Sequence, residues 1–132
     1  METFEIRTRE RNCFVEITGQ VREAISKHGL QDGFCVVYCP HTTAAITINE
    51  NANPDVVHDM LAWLDRAIPH QQSDFRHAEG NSDSHIKASL VGSSATAIVD
   101  KGKLVLGRWQ GVYFCEFDGP RTRQVHVKLV GK

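Results

Sequence analysis

Gly33-Phe34-Cys35-Val36-Val37-Tyr38-Cys39, followed after Pro40-His41 by Thr42-Thr43-Ala44-Ala45-Ile46-Thr47-Ile48, reads as two strands in succession. The first is a nearly unbroken apolar run, the mark of a buried strand. The second is rich in β-branched residues, which fit a pleated surface. The clearest helix of the chain follows. Asn53 can cap it, Pro54 suits its first turn, and Val57, Met60, Leu61, Leu64 and Ile68 form one apolar stripe that stops at Pro69. Towards the N-terminus, Phe4, Ile6 and Thr8 alternate with charged residues, and Phe14-Val15-Glu16-Ile17 follows a short turn, so the chain opens as a hairpin. Thr18 is the candidate N-cap of a helix carrying Val21, Ala24, Ile25 and His28, which Gly29 ends. Towards the C-terminus, Ala95–Val99 and Lys103–Leu106 flank the turn Asp100-Lys101-Gly102, and Gly111–Phe117 and Gln124–Val130 have strand composition. The polar stretch 69–84 shows no period, and long irregular segments in compact domains are usually functional or mobile. The order β-β-α-β-β-α-loop-β-β-β-β lacks βαβ alternation. It predicts a single α+β domain over 1–132, with helices packed on mostly antiparallel sheet.

Composition narrows the function classes. Fifteen Lys and Arg stand against sixteen Asp and Glu in 132 residues, a net charge of −1. A dedicated nucleic-acid binder carries a basic excess, so no nucleic-acid partner is expected. The longest apolar run, Phe34 to Cys39, is far short of the ~20 residues that span a bilayer. No basic-then-apolar leader opens the chain. The expectation is a cytoplasmic protein without a membrane partner. Cys13, Cys35 and Cys115 lie in apolar, strand-like stretches where free cysteine acts as a small hydrophobe.

Three segments carry candidate chemistry. In His77-Ala78-Glu79-Gly80-Asn81, alternate residues of an extended chain point one way, so His77, Glu79 and Asn81 converge. If a short helix starts near Ser82, His85 lies in its first turn and can fold back towards them. Imidazole and carboxylate suit a divalent metal or acid–base work, and a solvated polar loop is the plainer reading. In Cys39-Pro40-His41-Thr42-Thr43, His41 stands where two strands meet, beside hydroxyls that can donate to an anion. Cys35 and Cys39 are ~13 Å apart along a strand, too far to share one zinc. In Glu116-Phe117-Asp118-Gly119-Pro120-Arg121-Thr122-Arg123, the two acids share one face and the two arginines another. The arginines offer forked donors to phosphate, or the segment is a surface hairpin with weak ion pairs. Trp109-Gln110 upstream supplies an aromatic wall and an amide, or core. His28, His58, His70 and His126 read as structural or exposed.

Five motifs in order resemble the YjbQ family, described as secondary thiamine-phosphate synthases. They are Cys39-Pro40-His41-Thr42-Thr43-Ala44, Asn49-Glu50-Asn51-Ala52-Asn53-Pro54, His77–Asn81 with His85, Leu106-Gly107-Arg108-Trp109-Gln110, and Glu116–Arg121. The resemblance covers about Phe14 to Gly131. It implies a sandwich of mostly antiparallel sheet with two main helices packed on it, assembled as a homotrimer. It also implies a weak transfer that joins hydroxymethylpyrimidine diphosphate to thiazole phosphate with release of diphosphate. The partner is then a small phosphorylated heterocycle. On this resemblance His41, Glu79, His85 and Glu116 are the catalytic candidates, and Thr42, Asn81, Trp109, Gln110 and Arg121 bind substrate. His77, Glu79 and His85 are the candidate ligands of a divalent metal ion, zinc or magnesium. Binding without turnover and metal-dependent phosphoester hydrolysis need the same groups and stand as the alternatives.

Overall fold

A computed structural model describes residues 1–132. Two antiparallel sheets face each other. The larger runs β1 (Glu2–Arg7), β8 (Thr122–Gly131), β3 (Asp32–Tyr38), β5 (Ser94–Asp100), β6 (Lys103–Leu104). The smaller runs β2 (Cys13–Glu16), β7 (Gln110–Glu116), β4 (Ala44–Glu50). Period-2 alternation puts Cys35, Val37, Val99, Val125 and Val127 on the inner face of the larger sheet, against Ala44, Ile46, Val112 and Phe114 of the smaller. Helix α1 (Thr18–His28) adds Val21, Ala24 and Ile25 to the same core. On the far side of the smaller sheet, Ala45, Cys115 and Phe117 pack with Ala88, Phe14, Leu64 and Val91 beneath α2 (Pro54–Ala67) and α3 (Ser82–Val91). Strand β7 is therefore covered on both faces, which is why it is buried from Gly111 to Glu116. The α+β sandwich expected from the sequence is the fold observed.

Two local expectations are corrected. The first two strands do not form a hairpin: β1 pairs with β8 and β2 with β7, in different sheets. The connection between them is held by the distant 117–121 turn, where Thr8 N–H donates to the Arg121 carbonyl and Gly119 N–H to that of Arg11. Thr18 is the first residue of α1 and caps nothing. Its hydroxyl donates to Glu16 (2.8 Å) and accepts from Val112 N–H (2.8 Å), tying the helix to β7. The short helix considered from near Ser82 is present as α3 and joins the two main ones. Its buried residues include Asp83, Ser84 and Lys87, so no apolar stripe announces it.

Asn53 caps α2 as expected, accepting from Asp55 N–H at 2.9 Å. The apolar stripe of α2 is only half covered, however, and Trp63 is 58% exposed. On the outer face of the larger sheet, Val130, Phe34 and Ile98 stand directly opposite one another across β8, β3 and β5, all exposed, with Val105 beside them. No helix is long and apolar enough to cross a membrane.

Candidate functional site

The site is built around the chain reversal between β7 and β8. Gly119 lies so close to the β1–β2 connection that a Cβ there runs into the Glu10 carbonyl oxygen, and the Gly119–Pro120 peptide is cis. This packing sets a buried ion pair beneath the site. Arg123 Nε donates to Glu116 Oε1 at 2.9 Å and its Nη2 to Oε2, while Thr8 donates to Oε1 at 2.7 Å and Asp118 N–H to Oε2 at 3.1 Å. Arg123 Nη2 also reaches Thr43 Oγ1 at 2.9 Å. Glu116 is fully buried and both its oxygens are occupied.

Above that pair lies a cavity of about 480 Å³ lined by polar side chains and Pro40, with no large apolar residue. Asp118 organises one wall. Its Oδ2 accepts from Asn81 Nδ2 and from Arg121 Nη2, each at 2.8 Å, and its carbonyl accepts from Arg121 Nε at 2.7 Å. Arg121 is thus held along one edge while its outer Nη1–Nη2 edge stays available, its side chain half exposed. His41 forms another wall. Its Nε2 accepts the Gln124 N–H at 2.9 Å, which places the ring proton on Nδ1. Burial, aided by the nearby Arg123 charge, lowers the His41 pKa below its ordinary 6.5. Folded His41 therefore binds fewer protons than unfolded His41 as pH falls below that value, and stability falls with it. Unfolding between about pH 5 and pH 8 should show this loss beginning below ~6.5. His41→Asn should flatten it, and an unchanged profile in that variant removes His41 as its source.

The third wall comes from the 77–81 turn and α3. Gly80 N–H donates to the His77 carbonyl, and Gly80 adopts φ +72°, a left-handed conformation that favours glycine. The segment converges through this turn and not through an extended strand. His77 and His85 rings meet edge to face at 5.5 Å, and Glu79 approaches His77 at 3.9 Å. Helix α3 is anchored below. Arg11 grips Asp83 with two bonds (2.9 and 3.0 Å), Lys87 reaches Asp83 at 3.2 Å, and Ser84 donates to the Phe117 carbonyl. Burial alone pushes the Asp83 carboxyl up, but the Arg11 and Lys87 bonds together outweigh it and hold the pKa below its ordinary value.

His41, Thr42, His77, Glu79, Asn81, His85 and Arg121 are brought to one cavity. Trp109 and Gln110 are not. Gln110 begins β7, six residues or about 20 Å from Glu116 at its other end, and Trp109 lies one residue before it. Trp109 stacks under Arg108 and Gln110 accepts from Gly107 N–H. Glu116 lies beneath the cavity as a support. Asp118 and Thr43 lie inside motifs read from the sequence, whereas the Arg11–Asp83–Lys87 cluster is a contributor that no local pattern singled out. No three His, Cys, Asp or Glu side chains are grouped as a metal-ligand set: His77 and His85 are neighbours and Glu79 points largely to solvent. Two further hollows open from the same histidines. One runs past His77 and His85 to Phe75, Arg76 and Ile86. The other runs past His41 and His85 over the small residues Ala88, Ser89, Gly92 and Ser93. A larger hollow, about 800 Å³ and mostly apolar, lies along α2 by Phe14, Trp63 and Leu64, away from these groups.

A family model described as "UPF0047 protein YjbQ-like" matches residues 2–132. The UPF0047 protein YugU of Bacillus subtilis is 49% identical over 99% of each chain. A UPF0047 protein of Methanocaldococcus jannaschii is 52% identical, over 97% of this chain and 92% of its own. A crystal structure of a YjbQ/UPF0047 family protein from Clostridium acetobutylicum superposes with a TM-score of 0.96 at 52% identity, covering 98% of this chain and all of its own. A Thermus thermophilus structure does so with a TM-score of 0.92 at 40% identity, covering 98% of this chain and 100% of its own.

Proposed function

The chain belongs to the YjbQ-like UPF0047 family, and from that premise we propose that its polar cavity binds a small phosphorylated heterocycle and supports a weak thiamine-phosphate synthase reaction. The observation that carries this reading is Arg121, locked by Asp118 with its outer edge free, beside His41, Thr42, His77 and His85. In that reaction diphosphate leaves a benzylic-type carbon, and the charge it gains needs donors already in place. Arg121 supplies a charge-assisted end-on fork, and the Thr42 hydroxyl and His41 Nδ1–H supply neutral donors. His77 and His85 are the groups suited to moving a proton. The hollow by Phe75 and Ile86 offers the planar ring the apolar surface that Trp109 is too remote to give. A divalent ion at His77, Glu79 and His85 requires Glu79 to turn inward, and no step here is assigned to it.

Protein incubated with hydroxymethylpyrimidine diphosphate and thiazole phosphate should yield thiamine phosphate by mass spectrometry. Arg121→Ala and His85→Ala should reduce the yield, and assays with chelator, zinc or magnesium show whether an ion contributes. Binding of either substrate without product supports the binding-only reading, which the saturation of Glu116 favours. Phosphate release from one substrate alone indicates a hydrolase, and no binding of either overturns the proposal. The half-covered stripe of α2 and the bare Val130-Phe34-Ile98 row support assembly as a homotrimer. Light scattering should give about three times the 14.8 kDa chain mass, and a monomer at micromolar protein refutes it.

A further inference from the structure

Asn81 Oδ1 is the one buried side-chain oxygen or nitrogen in the chain that lacks a hydrogen-bond partner. Asn81 is 7% exposed and forms part of the cavity wall. Asparagine at the start of a helix ordinarily turns this oxygen onto the first-turn N–H groups. Asn81 precedes α3 and makes no such bond. The reason lies behind it: Nδ2 donates to Asp118 Oδ2 at 2.8 Å. Flipping the amide sets its oxygen against that carboxylate, so Asp118 dictates which end faces Asp118 and leaves the acceptor facing away. A buried acceptor without a donor is unfavourable and rare, and it calls for a specific account: strain, a water, an ion or a donor on a ligand.

We propose that Asn81 Oδ1 is a specificity-determining acceptor, and that the ligand of this cavity carries an uncharged N–H or O–H donor besides its phosphate. This rests on the phosphate-binding reading of the cavity. Asp118 then serves both ends of the ligand. One oxygen of its carboxylate holds Arg121 for the anion and Asn81 for the donor. Oδ1 itself is covered, so contact with it needs side-chain adjustment at the cavity wall of a kind common on binding.

The test uses hydroxyalkyl phosphates of two to four carbons against alkyl phosphates in which a methyl replaces the hydroxyl, titrated by calorimetry with chelator present. The neutral hydroxyl avoids attraction to Glu79 and Asp118, which an amine would feel. Wild-type protein should bind one hydroxyalkyl phosphate about three- to tenfold tighter than its methyl counterpart. Asn81→Ala should abolish that preference, read as the ratio of the two affinities measured on the same variant. Should that variant not fold, the Asn81 side-chain amide resonances of the wild type should shift with the hydroxyalkyl but not the alkyl probe. Alkyl phosphate binding with no preference overturns this assignment and leaves the phosphate reading intact. Binding of neither probe overturns both. A preference that Asn81→Ala retains, or that appears only when a divalent ion replaces the chelator, also overturns it, the latter making Oδ1 a cation ligand.

Discussion

Replacing Arg123 by methionine should destabilise the protein by about 3–5 kcal/mol, the usual cost of removing one partner of a buried ion pair. Glu116 is fully buried and Arg123 is 4% exposed, so the orphaned carboxylate has no water to turn to. Its remaining bonds come from Thr8 and the Asp118 N–H. The loss corresponds to roughly 10–20 °C in melting temperature for a chain of this size. Combining Arg123→Met with Glu116→Leu should recover much of it, because an apolar pair of similar volume replaces a charge pair that already carries a desolvation penalty. Thermal unfolding of the single and double variants decides the matter. A single variant that melts like wild type shows that the pair does not support the fold, and removes the footing on which Thr43 and the Asp118 turn rest.

The second large effect concerns Arg121. If its outer edge clamps phosphate, Arg121→Ala should weaken binding of thiazole phosphate or diphosphate about ten- to a hundredfold, equivalent to the ~1.5–3 kcal/mol of a charge-assisted bond. Arg121→Lys should be impaired too. An ammonium keeps the charge but cannot bond the Asp118 carbonyl and carboxylate along one edge while presenting two donors on another. Melting should move little in either variant, because Arg121 is half exposed and the more buried Asp118 keeps its bond from Asn81 Nδ2, so the pair contributes ~0–1 kcal/mol. Unchanged affinity in Arg121→Ala, measured by calorimetry, makes the Arg121–Asp118 contact a surface ion pair and no more.

These two arginines show where local reading ends. Two residues apart on one chain, Arg121 and Arg123 read as one forked anion clamp. The structure separates them, one buried on Glu116 and the other at the cavity mouth on Asp118. Glu116 and Asp118 are divided in the same way. Alternation along a strand tells which side chains share a face but not whether that face meets core or solvent, and this depends on the strands packed against it.

The amino-acid sequence by itself determined the features whose physics is local. Asn53 with Pro54 starts α2, Asp100-Lys101-Gly102 turns β5 into β6, an apolar run makes β3, and strand-forming composition marks β5 and β8. Each depends on interactions among residues a few positions apart, and the motif order pointed to the family as well. Tertiary structure alone decided the rest. It buried Glu116 on Arg123 beneath the cavity, crossed β1 and β2 into different sheets, and built α3 on a buried Arg11–Asp83–Lys87 cluster. Arg11 and Asp83 are 72 residues apart and Thr8 and Glu116 are 108 apart. Contacts at such separations leave no periodic trace in the chain, because desolvation and pairing act only after the sheets have closed.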